Sequence, residues 1–375
     1  MIKKSFLLFN LILILNVAAY PQQDTIKKTI DELFTRFNQE ISPGACVGVL
    51  HDRSVRYQSC YGKSSIEEKT PVTPDTRYHL GDLSYQFTAA AIMKLKEQEK
   101  LSYNEKVSEI LPEDFPYGDN ITIEMLLQQT SGLPAYKANT DTIEEVQPNF
   151  FQKIFGYREN YLDNQDLLNY VASQPELQFQ PGKTWRHANT NYALLAEIIE
   201  RKSGKSYKAY IEEELFLPAG LENAVVPEKK RFRLDQYAPG YIATRDSFLL
   251  HDENRKNKVY GSSGIYMSLS DYLKWIQALN SGSIISKNTL NQAERIKFFR
   301  DVIRFYGYAW TIEFNKGQKY LYHGNNQFGY THLILHIPAE DIYVLILSNH
   351  GAFFGIRGTA FKMANLYTDK KYEAR

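Results

Sequence analysis

The chain has 375 residues, of which 43% are hydrophobic and 23% charged, enough for one large domain or two intertwined ones with an ample core. A formal charge of +1 gives no basic excess for nucleic acid or an anionic surface, so neither is indicated as a partner. The aromatic share of 14%, with 27 Tyr, reads as half-buried packing before it reads as a ligand groove.

In chain order the first element is a targeting segment. Lys3 and Lys4 precede an apolar run from Phe6 to Ala18 that only Asn10 and Asn16 interrupt, and Val17-Ala18-Ala19 supplies the small residues a signal peptidase reads. Residues 1–19 are therefore expected to be a signal peptide cleaved after Ala19, leaving a mature chain of charge −1 that is secreted, periplasmic or extracellular. The apolar run is short for a membrane span, and no Cys stands near the cleavage point to carry a lipid.

Asp24 to Gln39 carries Ile26, Ile30, Leu33, Phe34 and Phe37 on one helical stripe. Two strand-like runs follow, Ala45 to Leu50 and Val55 to Tyr61, around Asp52-Arg53. They hold the only cysteines, Cys46 and Cys60. A three-residue loop would place the two cysteines face to face, and a two-residue loop would turn them to opposite faces, so a bridge and a pair of buried thiols both stay open. Further helices are predicted at Leu83 to Gln98, Ile121 to Gln128, Asn164 to Ser173, Asn191 to Lys202 (stopped by Gly204), Leu269 to Asn280 and Phe361 to Tyr367. Strands are predicted at Tyr308 to Phe314, Lys319 to His323, His332 to Ile337 and Ile342 to Ser348. Strands at both ends with helices between them predict an α+β fold, its antiparallel sheet assembled from both chain ends around a mostly helical insertion.

Five blocks carry a resemblance. They are His79-Leu80-Gly81-Asp82-Leu83-Ser84-Tyr85, Leu126-Leu127-Gln128-Gln129-Thr130-Ser131-Gly132-Leu133-Pro134, Pro181 to Asn189, Gly261-Ser262-Ser263-Gly264 and His323-Gly324-Asn325. In content and order they resemble the serine β-lactamase and penicillin-binding-protein-like family, including class C β-lactamase-related hydrolases. The resemblance implies that family's fold, with a sheet subdomain of about residues 24–80 and 242–375 and a helical subdomain of about 81–241. It also implies a cleft for acyl-D-amino peptides, β-lactams or small esters, with the N–H groups of Asp82 and Asn326 as oxyanion donors, and no cofactor.

The family's chemistry needs a Ser activated by a Lys one helical turn later. Here Asp82 aligns with the Ser and Tyr85 with the Lys, and no Ser in the chain has a Lys three positions on. Asp82 is expected to cap the following helix, and a carboxylate there opposes the charge that builds on an oxyanion. Ser84, two residues on, points to another side of the helix and reads as a first-turn polar residue. Tyr85 is expected to fill the space of the missing Lys.

His187 aligns with the family's Tyr and keeps a ring that titrates near neutrality. Asn189 is retained, either to contact a ligand or to satisfy backbone at the head of a helix. His323 matches a family variant, while Asn325 replaces a Gly and is expected to narrow the groove. Asn189, His323, Asn325 and Asn326 are thus the candidate ligand-binding residues. Convergence of Asp82, His187 and His323 on one pocket would allow an acid–base pair or a divalent metal, although no His-Glu-x-x-His spacing accompanies them.

The expected function is a non-catalytic member that binds a peptide-like, peptidoglycan-like or small amide or ester ligand in the old cleft. The alternatives are a hydrolase rewired around His187 or His323, and a structural partner in an envelope assembly.

Overall fold

The computed structural model describes residues 23–111, 115–136, 162–174, 176–228, 235–251, 257–297, 299 and 305–374. The expected signal peptide, 1–19, lies outside them. No helix among the described residues is long and apolar enough to cross a membrane.

A seven-stranded antiparallel sheet organises the molecule. Its strands are β1 (Ala45–His51), β2 (Ser54–Tyr61), β3 (Phe305–Tyr306), β4 (Thr311–Asn315), β5 (Gln318–Gln327), β6 (Tyr330–Ile337) and β7 (Ile342–Ser348). The spatial order is β3-β4-β5-β6-β7-β1-β2, so β1 from the N-terminal end sits between β7 and β2. The expected sheet built from both chain ends is the one observed. Strands β1, β6 and β7 are buried along nearly their whole length because both faces of the central sheet are covered.

On one face Val47, Val49, Val344 and Ile346 meet Ile30, Phe34 and Phe361 from α1 (23–33), its following turn and α7 (Ile356–Ala364). On the other, Leu50, Leu345 and Leu347 join a core with Phe87 of α2 (Tyr85–Glu97) and Trp275 of α6 (Leu269–Ser281). Nine Tyr rank among the largest fully buried side chains of the described residues, which is the packing use expected of the Tyr-rich composition. Between the two chain ends stand α3 (Ile123–Leu127), α4 (Asn164–Ala172) and α5 (Asn189–Ser203).

Several element ends differ from their predicted positions for visible reasons. Helix α1 gives way to a tight turn at Thr35–Phe37 before the predicted end at Gln39. Strand β4 begins at Thr311 rather than Tyr308, since Ala309 turns to a φ of 61°. Strand β5 runs through Gly324-Asn325-Asn326, poor strand formers that pairing with β6 holds extended. Helix α7 starts five residues before the predicted Phe361, because its half-buried first turn, Ile356-Arg357-Gly358-Thr359, shows no apolar periodicity.

The first hairpin resolves the cysteine question in a way neither loop length alone would. Asp52 and Arg53 both have positive φ (51° and 60°), a two-residue turn whose twist suits a hairpin. The register then shifts: Leu50 faces Val55 but Val49 faces Tyr57, leaving Arg56 as an extra residue. That bulge brings Cys46 opposite Cys60, and the two form a disulfide. With a sequence separation of 14, the bridge restricts the unfolded chain by about 3 kcal/mol. Replacing both cysteines by Ala is expected to lower stability by about that amount in urea unfolding. Dithiothreitol should reproduce the loss in the parent chain and have no effect on the variant.

Candidate active-site cleft

The turn carrying Asp82 is fastened on two sides. Arg77–His79 pairs antiparallel with Tyr266–Ser268, and the Leu80 N–H donates to the Ile265 carbonyl. The sheet holds the same segment through His332, whose Nε2 lies 2.8 Å from the His79 carbonyl. Gly81 has a φ of 54°, and a Cβ placed on it would lie 2.4 Å from Asn325 Nδ2. Only Gly tolerates both the backbone angle and the contact. Residues Gly81–Ser84 form a 3₁₀ turn that runs directly into α2.

This geometry corrects the expectation that Asp82 caps the helix. Asp82 lies inside the helical run, and neither the 3₁₀ turn nor α2 has a side-chain cap hydrogen bond. Its carboxylate faces His187 instead, with Oδ2 3.8 Å from Nε2. It has no hydrogen bond to any described residue. Burial raises its pKa from 3.8 to about 7, and no cation among the described residues offsets that burial. Desolvation lowers the pKa of His187, so its ring is neutral at pH 7.

Tyr85 occupies the space beside Asp82 with a fully buried ring. It stacks on His187 (centroids 5.6 Å, planes at 6°) and on Tyr192 (4.1 Å, 12°), and it meets His323 edge-on at 5.3 Å. Its hydroxyl has no hydrogen-bond partner among the described residues, and burial holds its pKa well above 10.0. A phenol so placed is not a base at neutral pH. Ser84 is buried, its Oγ without a hydrogen-bond partner among the described residues, and no lysine stands one turn later to activate it.

The remaining candidates separate. The Asn189 Oδ1 accepts from the Tyr136 N–H at 3.1 Å while its Nδ2 donates to the Tyr136 carbonyl at 3.1 Å. The same Oδ1 accepts from the Thr190 N–H at 3.1 Å, so of its two open roles the geometry displays the satisfying of backbone, at the helix head and in the Tyr136 loop. His323 on β5 is 5% exposed and lies behind the Tyr85 ring. Its pKa falls to about 3, through desolvation and then the nearby His187, which makes it a weak base.

Asn325 corrects the expectation of a narrowed groove. It is 4% exposed, lies beneath Gly81, and both its amide atoms are buried without partners among the described residues. The pleat points Asn326 the other way, where it is exposed. The segments expected to supply the two oxyanion N–H groups do meet, through the Gly81–Asn325 contact. The metal reading finds no support in the arrangement: Asp82 and His187 adjoin, but among the described residues no three His, Cys, Asp or Glu are grouped to hold an ion.

Tyr306 escaped the sequence reading, and Gln129 stood in one of the five blocks without a role. Tyr306 on β3 interacts electrostatically with Asp82 and stacks on Trp185 at 5.7 Å. Gln129 accepts from the Ala188 N–H at 2.9 Å and from Asn191 Nδ2, tying the Leu126–Pro134 loop to the head of α5. The aromatic density of Phe305 to Trp310 was the only sequence signal for Tyr306.

Comparison with known proteins follows the same lines. The family model described as Beta-lactamase matches residues 30–361. Penicillin-binding protein 4* of Bacillus subtilis (strain 168) is 29% identical over 342 residues, covering 86% of this chain and 72% of that protein. A D-aminopeptidase of Cereibacter sphaeroides is 25% identical over 334 residues, covering 88% of this chain but only 60% of the relative. The octameric penicillin-binding protein homologue from Pyrococcus abyssi superposes with a TM-score of 0.74 at 25% identity, covering 92% of this chain and 77% of that one.

Proposed function

From the premise that the chain belongs to the beta-lactamase family, we propose that it is a non-catalytic, exported member that binds a peptide-like amide or ester ligand in the former active-site cleft. One observation carries this reading: a buried, uncompensated carboxylate stands at the nucleophile position, with a buried phenol where the activating lysine belongs. An anion there opposes an oxyanion, and a phenol that keeps its proton activates nothing. The ligand class is carried over from relatives named as a penicillin-binding protein and a D-aminopeptidase.

Binding is tested by titrating the full chain with D-alanyl-D-alanine in free-amine and N-acetylated forms while following thermal unfolding. At least one form is expected to raise the midpoint saturably, without release of free alanine. His187→Trp adds bulk at an exposed side chain that adjoins Asp82 and is expected to abolish the shift with the unliganded midpoint intact. A shift that survives His187→Trp places the ligand elsewhere and defeats the proposal.

The contact between Asp82 and His187 favours one second reading, in which the pair activates a water. That reading requires release of free alanine above background, lost in His187→Ala.

A further inference from the structure

We propose that the cleft selects a ligand bearing a primary ammonium group, which sits on the Asp82 carboxylate with its carbon skeleton against the exposed His187 ring. The proposal rests on reading the cleft as a ligand site, and it names the chemical class that site takes.

The argument starts from what Asp82 lacks. Its side chain is 14% exposed and its one ionic neighbour is His187 at 3.8 Å. A carboxylate withdrawn from water needs a cation or several N–H donors to offset the loss of solvation. Neither is present among the described residues. His187 does not serve at neutral pH, because desolvation keeps its ring uncharged. An ammonium ion would supply both the charge and three donors in one compact group.

The walls fit the same group. Of the rings beside Asp82, His187 reaches the surface with its side chain 44% exposed, while Tyr85 and Tyr306 are buried behind it. Aromatic faces attract a cation and leave its apolar skeleton in contact with carbon. The unpartnered polar atoms nearby, Tyr85 Oη and His323 Nδ1, add no positive charge that would repel it. An anionic group approaching Asp82 would meet the opposite situation and be excluded.

Isothermal titration of the full chain at pH 8 with 2-phenylethylamine, and with its neutral N-acetyl derivative, tests the assignment. The amine is expected to bind about tenfold more tightly than the derivative, and Asp82→Asn to remove that advantage while leaving the derivative unchanged. Asp82→Ser should behave alike, so the result does not hang on one variant's folding. Near pH 7 amine binding should also release protons, seen as a heat that depends on the buffer. The groups facing Asp82 are His187, Tyr85 and Tyr306, with His323 behind them. Both histidines are shifted down and both tyrosines up, while burial brings Asp82 to about 7, and the Asp82→Asn variant isolates its share of the proton release.

Equal binding of amine and derivative, indifference to Asp82→Asn, or no heat from the amine at millimolar concentration each overturns the ammonium assignment. A derivative that binds in a His187-dependent way would do so while leaving the ligand-binding reading intact. Covalent labelling by a penicillin would instead defeat that parent reading.

Discussion

A fluorescent penicillin is expected to leave the full chain unlabelled under conditions that acylate a penicillin-binding protein to completion. Acylation requires a nucleophilic oxygen, a group to take its proton and donors for the oxyanion. Loss of the nucleophile alone costs about a million-fold in kcat in a serine hydrolase. Here the base is missing as well: Tyr85 is buried with its pKa held far above neutrality, and no Ser in the chain precedes a Lys at the required spacing. The measurement is a denaturing gel with intact-mass analysis. A band that survives denaturation would sink the pseudoenzyme reading. Ser84→Ala would then show whether Ser84, the nearest hydroxyl on the turn, had taken over.

Asp82→Asn is expected to stabilise the protein at alkaline pH, by an amount that shrinks as the pH falls. The Asp82 carboxyl is held at about 7 in the fold, against 3.8 for the free side chain. A carboxyl with a raised folded pKa makes the native state bind the extra proton. Stability therefore falls as the pH rises between those two values and levels off above 7. The full penalty is about 4 kcal/mol as an upper figure. The amide keeps the shape and carries no charge. The difference between variant and parent should be near zero below pH 3.8, intermediate at pH 5 and largest at pH 8. Taking the difference removes the contributions of the buried histidines, which titrate alike in both proteins. Urea unfolding at pH 5 and pH 8 measures it, and a variant less stable than the parent at pH 8 would refute the uncompensated carboxylate.

Much of the architecture was legible beforehand because its signals are local. The apolar continuity of β7, the periodicity of α5 with Gly204 at its end, and the ordered blocks from His79 to Asn325 all follow from neighbouring residues. Element ends were less legible wherever a remote partner overrides propensity, as β6 does for the Gly-Asn-Asn stretch of β5. The site was half legible. Asp82, Tyr85 and His187 do come together, yet Tyr306 reaches Asp82 from a strand more than 200 residues further along the chain.

The Asp82 turn shows where the boundary lies. The amino-acid sequence by itself determined that no Ser-x-x-Lys pair exists, because spacing along a helix is a property of the chain alone. It also determined which side chains replace that pair. Only the tertiary structure decided what the replacements do. The 3₁₀ turn denies Asp82 its cap, and Asn325 packs beneath Gly81 instead of facing the groove. A bulge at Arg56 brings the cysteines together despite a two-residue turn. Desolvation and register share one physical origin: each is set by atoms that distant segments bring alongside, and no local pattern records them.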